Sequence, residues 1–154
     1  MRGPVMLSTK VIEHCRLKGW WHEDVPPEYE EALRKLEIDL NSDFAQFYLY
    51  AEDGPTFYSR HQELYQICWV IENTVYLQDM HISQLTLGLP EAYIPLDSFE
   101  GEGGFFYNRQ TGEVVLVELG ESIERFLNGE SKPQWADFNA FLEWYFELAE
   151  VTTL

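Results

Sequence analysis

The apolar residues early in the chain recur at the spacing of an α-helix. Tyr29, Ala32, Leu33 and Leu36 fall at i, i+3, i+4 and i+7, so they form one apolar stripe. Pro27 precedes this stripe, and proline suits the first turn of a helix, where its missing N–H costs nothing. The pattern predicts an amphipathic helix that begins at Pro27 and buries one face.

A second helix is predicted to begin at Ser42 or Asp43, because both residue types are good helix caps. Its apolar positions again have helical spacing: Phe44, Phe47, Tyr48 and Ala51. Gly54 and Pro55 are predicted to end it. The pattern Asp-Phe-x-x-Phe occurs at 43–47 and again at 137–141, but five residues repeated once do not define a structural repeat.

The segment 56–88 is harder to interpret. Residues 63–70 form a short apolar run, which fits either a buried strand or the start of a helix, because periodicity does not separate the two over so few positions. We favour a brief strand followed by a helix over residues 71–85 that ends at Gly88.

The chain then changes to strand character. Residues 92–98 predict a strand in which Pro95 marks a bulge or an edge position, since proline cannot donate to the ladder. Residues 105–108 and 113–119 predict a hairpin, with Gly112 supplying the positive φ that such a connection needs. Residues 114–117 are all apolar, which predicts a central strand covered on both faces.

Two helices close the sequence, over 121–128, with Gly129 as its cap, and over 135–149. Glu143, Glu147 and Glu150 fall together on the outer side of the last one. The order of helices, antiparallel strands and helices predicts an α+β fold. A length of 154 residues suits one domain, which we place at residues 25–154, with residues 1–24 as an N-terminal extension.

The charge of the chain is strongly negative and uneven. Ten Lys+Arg stand against 27 Asp+Glu, a net charge of −17. Residues 1–24 hold four basic and three acidic side chains, whereas residues 25–154 hold six and 24, a net −18. Such a balance argues against nucleic-acid and anionic-membrane binding, which both depend on Lys and Arg. The short apolar runs and the lack of a signal-peptide stretch lead us to expect a cytoplasmic protein.

Residue types that carry catalysis or bind metals do not form a known pattern. His14, Cys15, His22, Glu23 and Asp24 are rich in potential ligands, but their spacing matches no common zinc site, and we interpret them as a polar surface segment. Cys68 lies between apolar neighbours and is expected in the core. Phosphate-binding and nucleophile motifs are missing from the sequence. We therefore expect no enzymatic activity, no cofactor and no metal; an enzyme would require a pocket of convergent titratable groups.

A candidate partner-binding surface surrounds the glycine-rich segment 99–104. Aromatic side chains beside carboxylates are typical of interface anchors, although a solvated acidic surface is the simpler alternative. The candidate residues are Asp97, Phe99, Glu100, Glu102, Tyr107, Glu113, Glu118 and, on the flank of the last helix, Trp144.

The order of short motifs in this region resembles the SUKH superfamily. Residues 89–97 (LPEAYIPLD), the glycine turn, residues 105–108 (FFYN), residues 111–114 (TGEV), residues 122–127 (SIERFL) and residues 141–142 (FL) carry the resemblance. It implies a mostly antiparallel sheet flanked by helices. It also implies a function, because many bacterial SUKH proteins are immunity proteins that neutralise toxins, often nucleases.

Two functions therefore stand as hypotheses. The first is an immunity protein whose acidic surface binds a basic, nuclease-type toxin, in which case reversing the charges of Glu100 and Glu102 should slow association. The second is a regulatory or interaction module without a toxin partner, of the kind that regulates cell-wall synthesis in eukaryotic relatives.

Overall fold

A computed structural model describes residues 5–99 and 103–148. The described residues form seven helices and five strands. In chain order these are α1 Thr9–Lys18, α2 Pro27–Lys35, α3 Asp43–Tyr50, β1 Thr56–Ser59, β2 Gln62–Tyr65, α4 Ile67–Asn73, α5 Tyr76–Leu87, β3 Tyr93–Pro95, β4 Gly103–Asn108, β5 Val114–Glu118, α6 Glu121–Leu127 and α7 Phe138–Tyr145. The predicted α+β fold is confirmed.

The strands form two antiparallel sheets, a β1–β2 hairpin and a three-stranded sheet in the order β3-β4-β5. The predicted second hairpin is confirmed, with Phe105 opposite Leu116 and Gly112 at φ 83°. Pro95 lies on an edge strand, as predicted. The prediction that 114–117 is the central strand is wrong, because β4 is central. The predicted burial of both faces of this strand, β5, is confirmed: Val114 belongs to the main core and Val115 to a second, smaller core.

The first two predicted helix starts are confirmed. Pro27 begins α2, whose Ala32 and Leu33 are buried. Ser42 caps α3 by accepting the Ala45 N–H at 3.0 Å. Residues 121–127 are helical as predicted, in α6.

The segment 56–88 differs from its prediction. The β1–β2 hairpin was not predicted, and residues 63–70 are not one strand, because β2 ends at Tyr65 and α4 begins at Ile67. The Gln66 side chain accepts the N–H groups of Cys68 and Trp69 and so caps a helix in the middle of the apolar run. The predicted helix over 71–85 is two helices, separated at Thr74, whose hydroxyl contacts the ends of both.

The last helix is shorter than predicted. It begins after Asp137, which accepts the Ala140 N–H at 2.8 Å, and it ends at Tyr145. Trp135 is not helical, because its backbone pairs with Val114 of β5. The predicted end at residue 149, and Glu150, lie outside the described residues.

Helices α3 and α7 meet in an aromatic core. Phe44 and Phe138 have ring centroids 4.8 Å apart, and Phe47 also contacts Phe138. The two helices that share the Asp-Phe-x-x-Phe pattern are therefore packed together. The buried carboxylate of Asp43 joins their N-termini by accepting the Asn139 N–H at 3.0 Å.

Helix α1 contributes to the same core. Val11 and Cys15 of α1 are buried in this core, as is Leu7 just before the helix. Trp20, just after the helix, contacts Phe57 of β1 edge to face. No helix among residues 5–99 and 103–148 is long and apolar enough to cross a bilayer.

Candidate functional site

Asp97 and Tyr107, two of the predicted binding residues, are buried. Asp97 is 8 % exposed, and its carboxylate accepts the N–H groups of Phe99 at 3.1 Å and Phe105 at 3.3 Å. It thereby holds the two ends of the glycine-rich segment together. Tyr107 is 2 % exposed and stacks on Phe44 with ring centroids 4.2 Å apart, so its side chain packs the core.

Trp144 is half-buried on the flank of α7, and its ring contacts the side chain of Arg60. The Arg60 guanidinium lies 4.2 Å from the Trp144 ring centroid, and Arg60 Nε donates to the Trp144 carbonyl at 2.7 Å. A guanidinium over an indole face is attracted by the negative face of the ring. The predicted interface anchor therefore already holds an arginine of its own chain.

The other predicted residues lie at or near the surface. Phe99 is half-buried at φ 55° with its ring 6.0 Å from that of Phe106. Glu113 is half-buried just before β5. Glu118 is exposed and pairs in register with Gly103. Glu100 and Glu102 lie outside the described residues, so their placement is not part of this geometry.

A groove of about 330 Å³ lies where the glycine-rich segment meets the β1–β2 hairpin. We call it the hairpin groove; it is lined by Tyr58, His61, Gln62, Glu63, Asp97, Ser98 and Gly103. The hairpin turns through Arg60 and His61, at φ 54° and 60°, a left-handed conformation that side chains other than glycine adopt at a cost. Two-residue turns of this kind usually carry Asn-Gly, so Arg60-His61 is not recognisable in the sequence as a hairpin turn.

A larger cleft of about 390 Å³ lies between the segment after α1 and the end of α3. Two of the rings that line it, Trp21 and Tyr50, are stacked with their centroids 5.2 Å apart and their planes at 19°. Backbone hydrogen bonds from His22 to Tyr50 and from Glu52 to Trp20 fix these walls. We call this the N-terminal cleft. His22, Glu23 and Asp24, which were predicted to form a polar surface segment, line one side of this cleft.

Both cavities carry carboxylates. Glu23, Asp24 and Glu52 line the N-terminal cleft, whereas Glu63 and Asp97 line the hairpin groove. Neither cavity has a lysine or arginine among its described lining residues. Arg16 nevertheless pairs with Glu23 at 3.8 Å and lies 5.8 Å from the centroid of the Trp21 ring, so one carboxylate of the N-terminal cleft already has a basic partner. The charges that line each cavity favour cationic groups.

Tyr29 forms part of the N-terminal cleft, and its hydroxyl donates to Glu52. The pKa of Tyr29 is raised well above its usual range by burial and by this bond to Glu52. Through this bond Tyr29 orients one carboxylate oxygen of the cleft.

The thiols are placed for packing. Burial raises the pKa of Cys15 to about 12, and burial together with the charges of Glu52 and Glu72 raises that of Cys68 further still. A thiol with such a pKa is protonated at neutral pH and is a poor nucleophile. Cys68 lies in the core, as predicted. Nowhere in residues 5–99 and 103–148 do three His, Cys, Asp or Glu side chains converge as a metal site.

The chain matches no protein-family model, no curated protein and no solved structure. What its surface can do chemically follows from the two cavities, which offer carboxylates and aromatic rings to a cationic group.

Proposed function

We propose that this chain is a non-enzymatic binding protein that neutralises a basic toxin, of the nuclease type, by protein–protein contact. One observation carries the proposal: the described part of the chain holds 24 Asp and Glu but only nine Lys and Arg. The carboxylates therefore far outnumber the basic side chains, and the chain keeps a net charge of −17 that its own Lys and Arg do not neutralise. A basic partner would supply the missing charges.

The physical reasoning concerns the partner's chemistry as much as this protein's. An enzyme that cleaves nucleic acid needs Lys and Arg to bind phosphates. An acidic protein of complementary shape is steered to that surface and occupies it, because opposite potentials accelerate encounter. The resemblance to SUKH immunity proteins favours this type of partner over other basic proteins.

The acid-lined cavities are the places where we expect basic side chains to be received. The hairpin groove is the better candidate for the first contact, because Tyr58 beside it is 64 % exposed and Glu63 and Glu118 are both exposed. An exposed tyrosine next to carboxylates can pack on the stem of a lysine or arginine while the carboxylates bind its charge.

The test measures binding to the product of a toxin gene encoded beside this one. We expect a tight complex whose association slows about tenfold when the salt concentration rises from about 20 to about 200 mM, since screening removes the steering. Absence of a complex at low salt with every neighbouring toxin, or lack of any toxin gene nearby, would favour a regulatory module without a toxin partner.

Charge-reversal variants then map the surface. Glu63→Lys and Glu118→Lys should each slow association several-fold, whereas the matched change Glu13→Lys, on α1 and away from both cavities, should have a smaller effect. Equal effects of all three would mean that only net charge matters and that the hairpin groove is not the contact.

A further inference from the structure

Helix α5 is apolar on two opposite sides. Its inner side buries Tyr76 and Met80 in the core. Its outer side carries Ile82 and Leu85, which are 60 % and 84 % exposed, and Val75 at its N-cap is 59 % exposed. We call Val75, Ile82 and Leu85 the outer stripe.

Helix geometry places the outer stripe on one face. Because successive residues are rotated by about 100°, Val75 and Ile82 are separated by only about 20° and Ile82 and Leu85 by about 60°. Met80, which is buried, lies about 140–160° from the three residues of the stripe, whereas Gln84, also buried, lies about 160–180° from Val75 and Ile82 and about 100° from Leu85. The stripe is therefore the solvent face of the helix, where a single-domain protein would normally carry charged residues.

A further exposed apolar residue lies beside the end of the helix. A Cβ placed on Gly88, which terminates α5 at φ 69°, would lie 3.9 Å from Leu127 Cδ1 of α6. Leu127 is itself 44 % exposed. An exposed apolar residue of α6 therefore lies beside the C-terminal end of α5, and groups of exposed apolar residues commonly mark an interaction site.

The charges around the outer stripe are mainly acidic. No Lys or Arg occurs between Arg60 and Arg109, while Glu72, Asp79 and Glu91 are exposed. On the side of His81, Arg109 donates to two backbone carbonyls and pairs with Glu37 at 3.8 Å. On α6, Arg125 pairs with Glu121 at 3.2 Å. Lys35 and Arg109 line a pocket against α5 together with His81, Glu37 and Glu91, so the charges on that side are mixed, whereas Glu72 and Asp79 have no basic neighbour in sequence. The stripe therefore lies in a part of the chain with more acidic than basic side chains.

We infer that the outer stripe is the apolar anchor site for the basic partner, and that it takes a segment with apolar side chains bordered by Lys or Arg. The inference rests on the proposed function. It adds an apolar contact to the charged ones, and salt does not screen an apolar contact. Charge complementarity selects this occupant: a second copy of the chain, also at −17, would bring acidic borders against each other.

The test uses a fluorescently labelled helical peptide with leucine on one face and lysine on the other, and a matched peptide with glutamate in place of lysine. The variants are Ile82→Asn with Leu85→Asn, and the control is Leu17→Asn on α1, where Leu17 is 88 % exposed. All three positions are solvent-exposed, so an unchanged urea midpoint is expected for each variant.

We expect the lysine peptide to bind the wild-type protein and the glutamate peptide not to bind. The double variant should weaken binding about tenfold or more at physiological salt, because two leucine-type contacts are lost, while Leu17→Asn leaves it unchanged. Equal, salt-sensitive binding by all variants would overturn the anchor but keep the proposed function. No binding of the lysine peptide, even at low salt, would count against both.

Sedimentation of the wild-type protein shows whether it is a monomer or a dimer, and so tests whether the outer stripe is instead a contact between two copies of this chain. A monomer supports the inference. A dimer that dissociates on Leu85→Asn but not on Leu17→Asn would make the stripe a contact between copies of this chain and would overturn it.

Discussion

Gln66 is a buried polar side chain that joins three parts of the fold, and its replacement is the sharpest test of the packing. Its Nε2 donates to the carbonyls of Tyr48 and Ala51 at 2.8 Å, at the end of α3. Its Oε1 accepts from Cys68 at 2.8 Å and from Trp69 at 3.3 Å, at the start of α4. The residue is 0 % exposed, so water does not replace these bonds.

The variant Gln66→Met keeps a similar size and removes all four bonds. Losing a helix cap costs about 1 kcal/mol. Two buried carbonyls that lose their donors cost about 1 kcal/mol each, and the greater burial of apolar atoms in methionine returns part of this. We expect a net loss of about 2–4 kcal/mol in the free energy of unfolding, and a melting temperature lower by about 5–15 °C for a chain of this length.

Urea unfolding followed by far-UV circular dichroism measures this loss. The control is Gln110→Met, the same change at an exposed turn position. A difference between the two variants below about 1 kcal/mol would refute the reasoning, because it would mean that the four bonds contribute little beyond what water provides in the unfolded chain.

The charged analogue Gln66→Glu adds a pH test. Burial would raise the pKa of the new carboxyl in the folded state above its unfolded value of about 4.3. The folded protein then binds the proton more tightly, so stability relative to wild type is retained below about pH 4.3 and lost as the pH rises towards the folded pKa, by about 1.4 kcal/mol per pH unit. A difference from wild type that does not change with pH would contradict the burial of this position.

Three further outcomes are expected. Gly104→Ala should destabilise the protein by about 1–3 kcal/mol in urea unfolding, because the new Cβ would lie 2.6 Å from Asp97 Oδ1; an unchanged midpoint would contradict this close packing. Cys15 and Cys68 should resist a thiol reagent at pH 8 in the native protein and react fully in denaturant. Since folding raises the pKa of Cys15 to about 12, the stability it contributes is complete below pH 9 and is lost above it. His61→Gly should raise the free energy of unfolding by about 1 kcal/mol by relieving the left-handed backbone at φ 60°, and a loss of stability would show that the imidazole makes a stronger contact.

The elements that could be predicted are those whose signals are local. The start of α2 at Pro27 and of α3 after Ser42, and the β4–β5 hairpin with Gly112 in its turn, all depend on residues within one turn or one ladder. Caps, periodicity and a positive-φ glycine act over a few residues, so they can be recognised in the sequence.

Only part of the candidate site could be predicted from the sequence. The position of Asp97 and Tyr107 beside an acidic glycine turn predicts that both lie at a binding surface, but Asp97 accepts hydrogen bonds from backbone N–H groups and Tyr107 packs on Phe44. Asp97 contacts Phe105 of β4, and Tyr107 contacts Phe44 of α3. Because these contacts join different elements, the residues next to Asp97 and Tyr107 in the sequence do not indicate them. The hairpin groove was missed because its turn, Arg60-His61, lacks the glycine that signals such a turn.

The α+β class, the caps of the early helices and the large excess of negative charge can all be predicted from the order of residue types along the chain. These depend on residue type and short-range order, which do not change when the chain folds. Packing between distant parts of the chain, in contrast, fixes where acidic side chains meet aromatic ones, makes β4 the central strand and leaves Ile82 and Leu85 of α5 facing the solvent. Burial is a property of neighbours that are distant in the chain, so an apolar stripe in the sequence shows that a helix has an apolar face but not whether that face is covered.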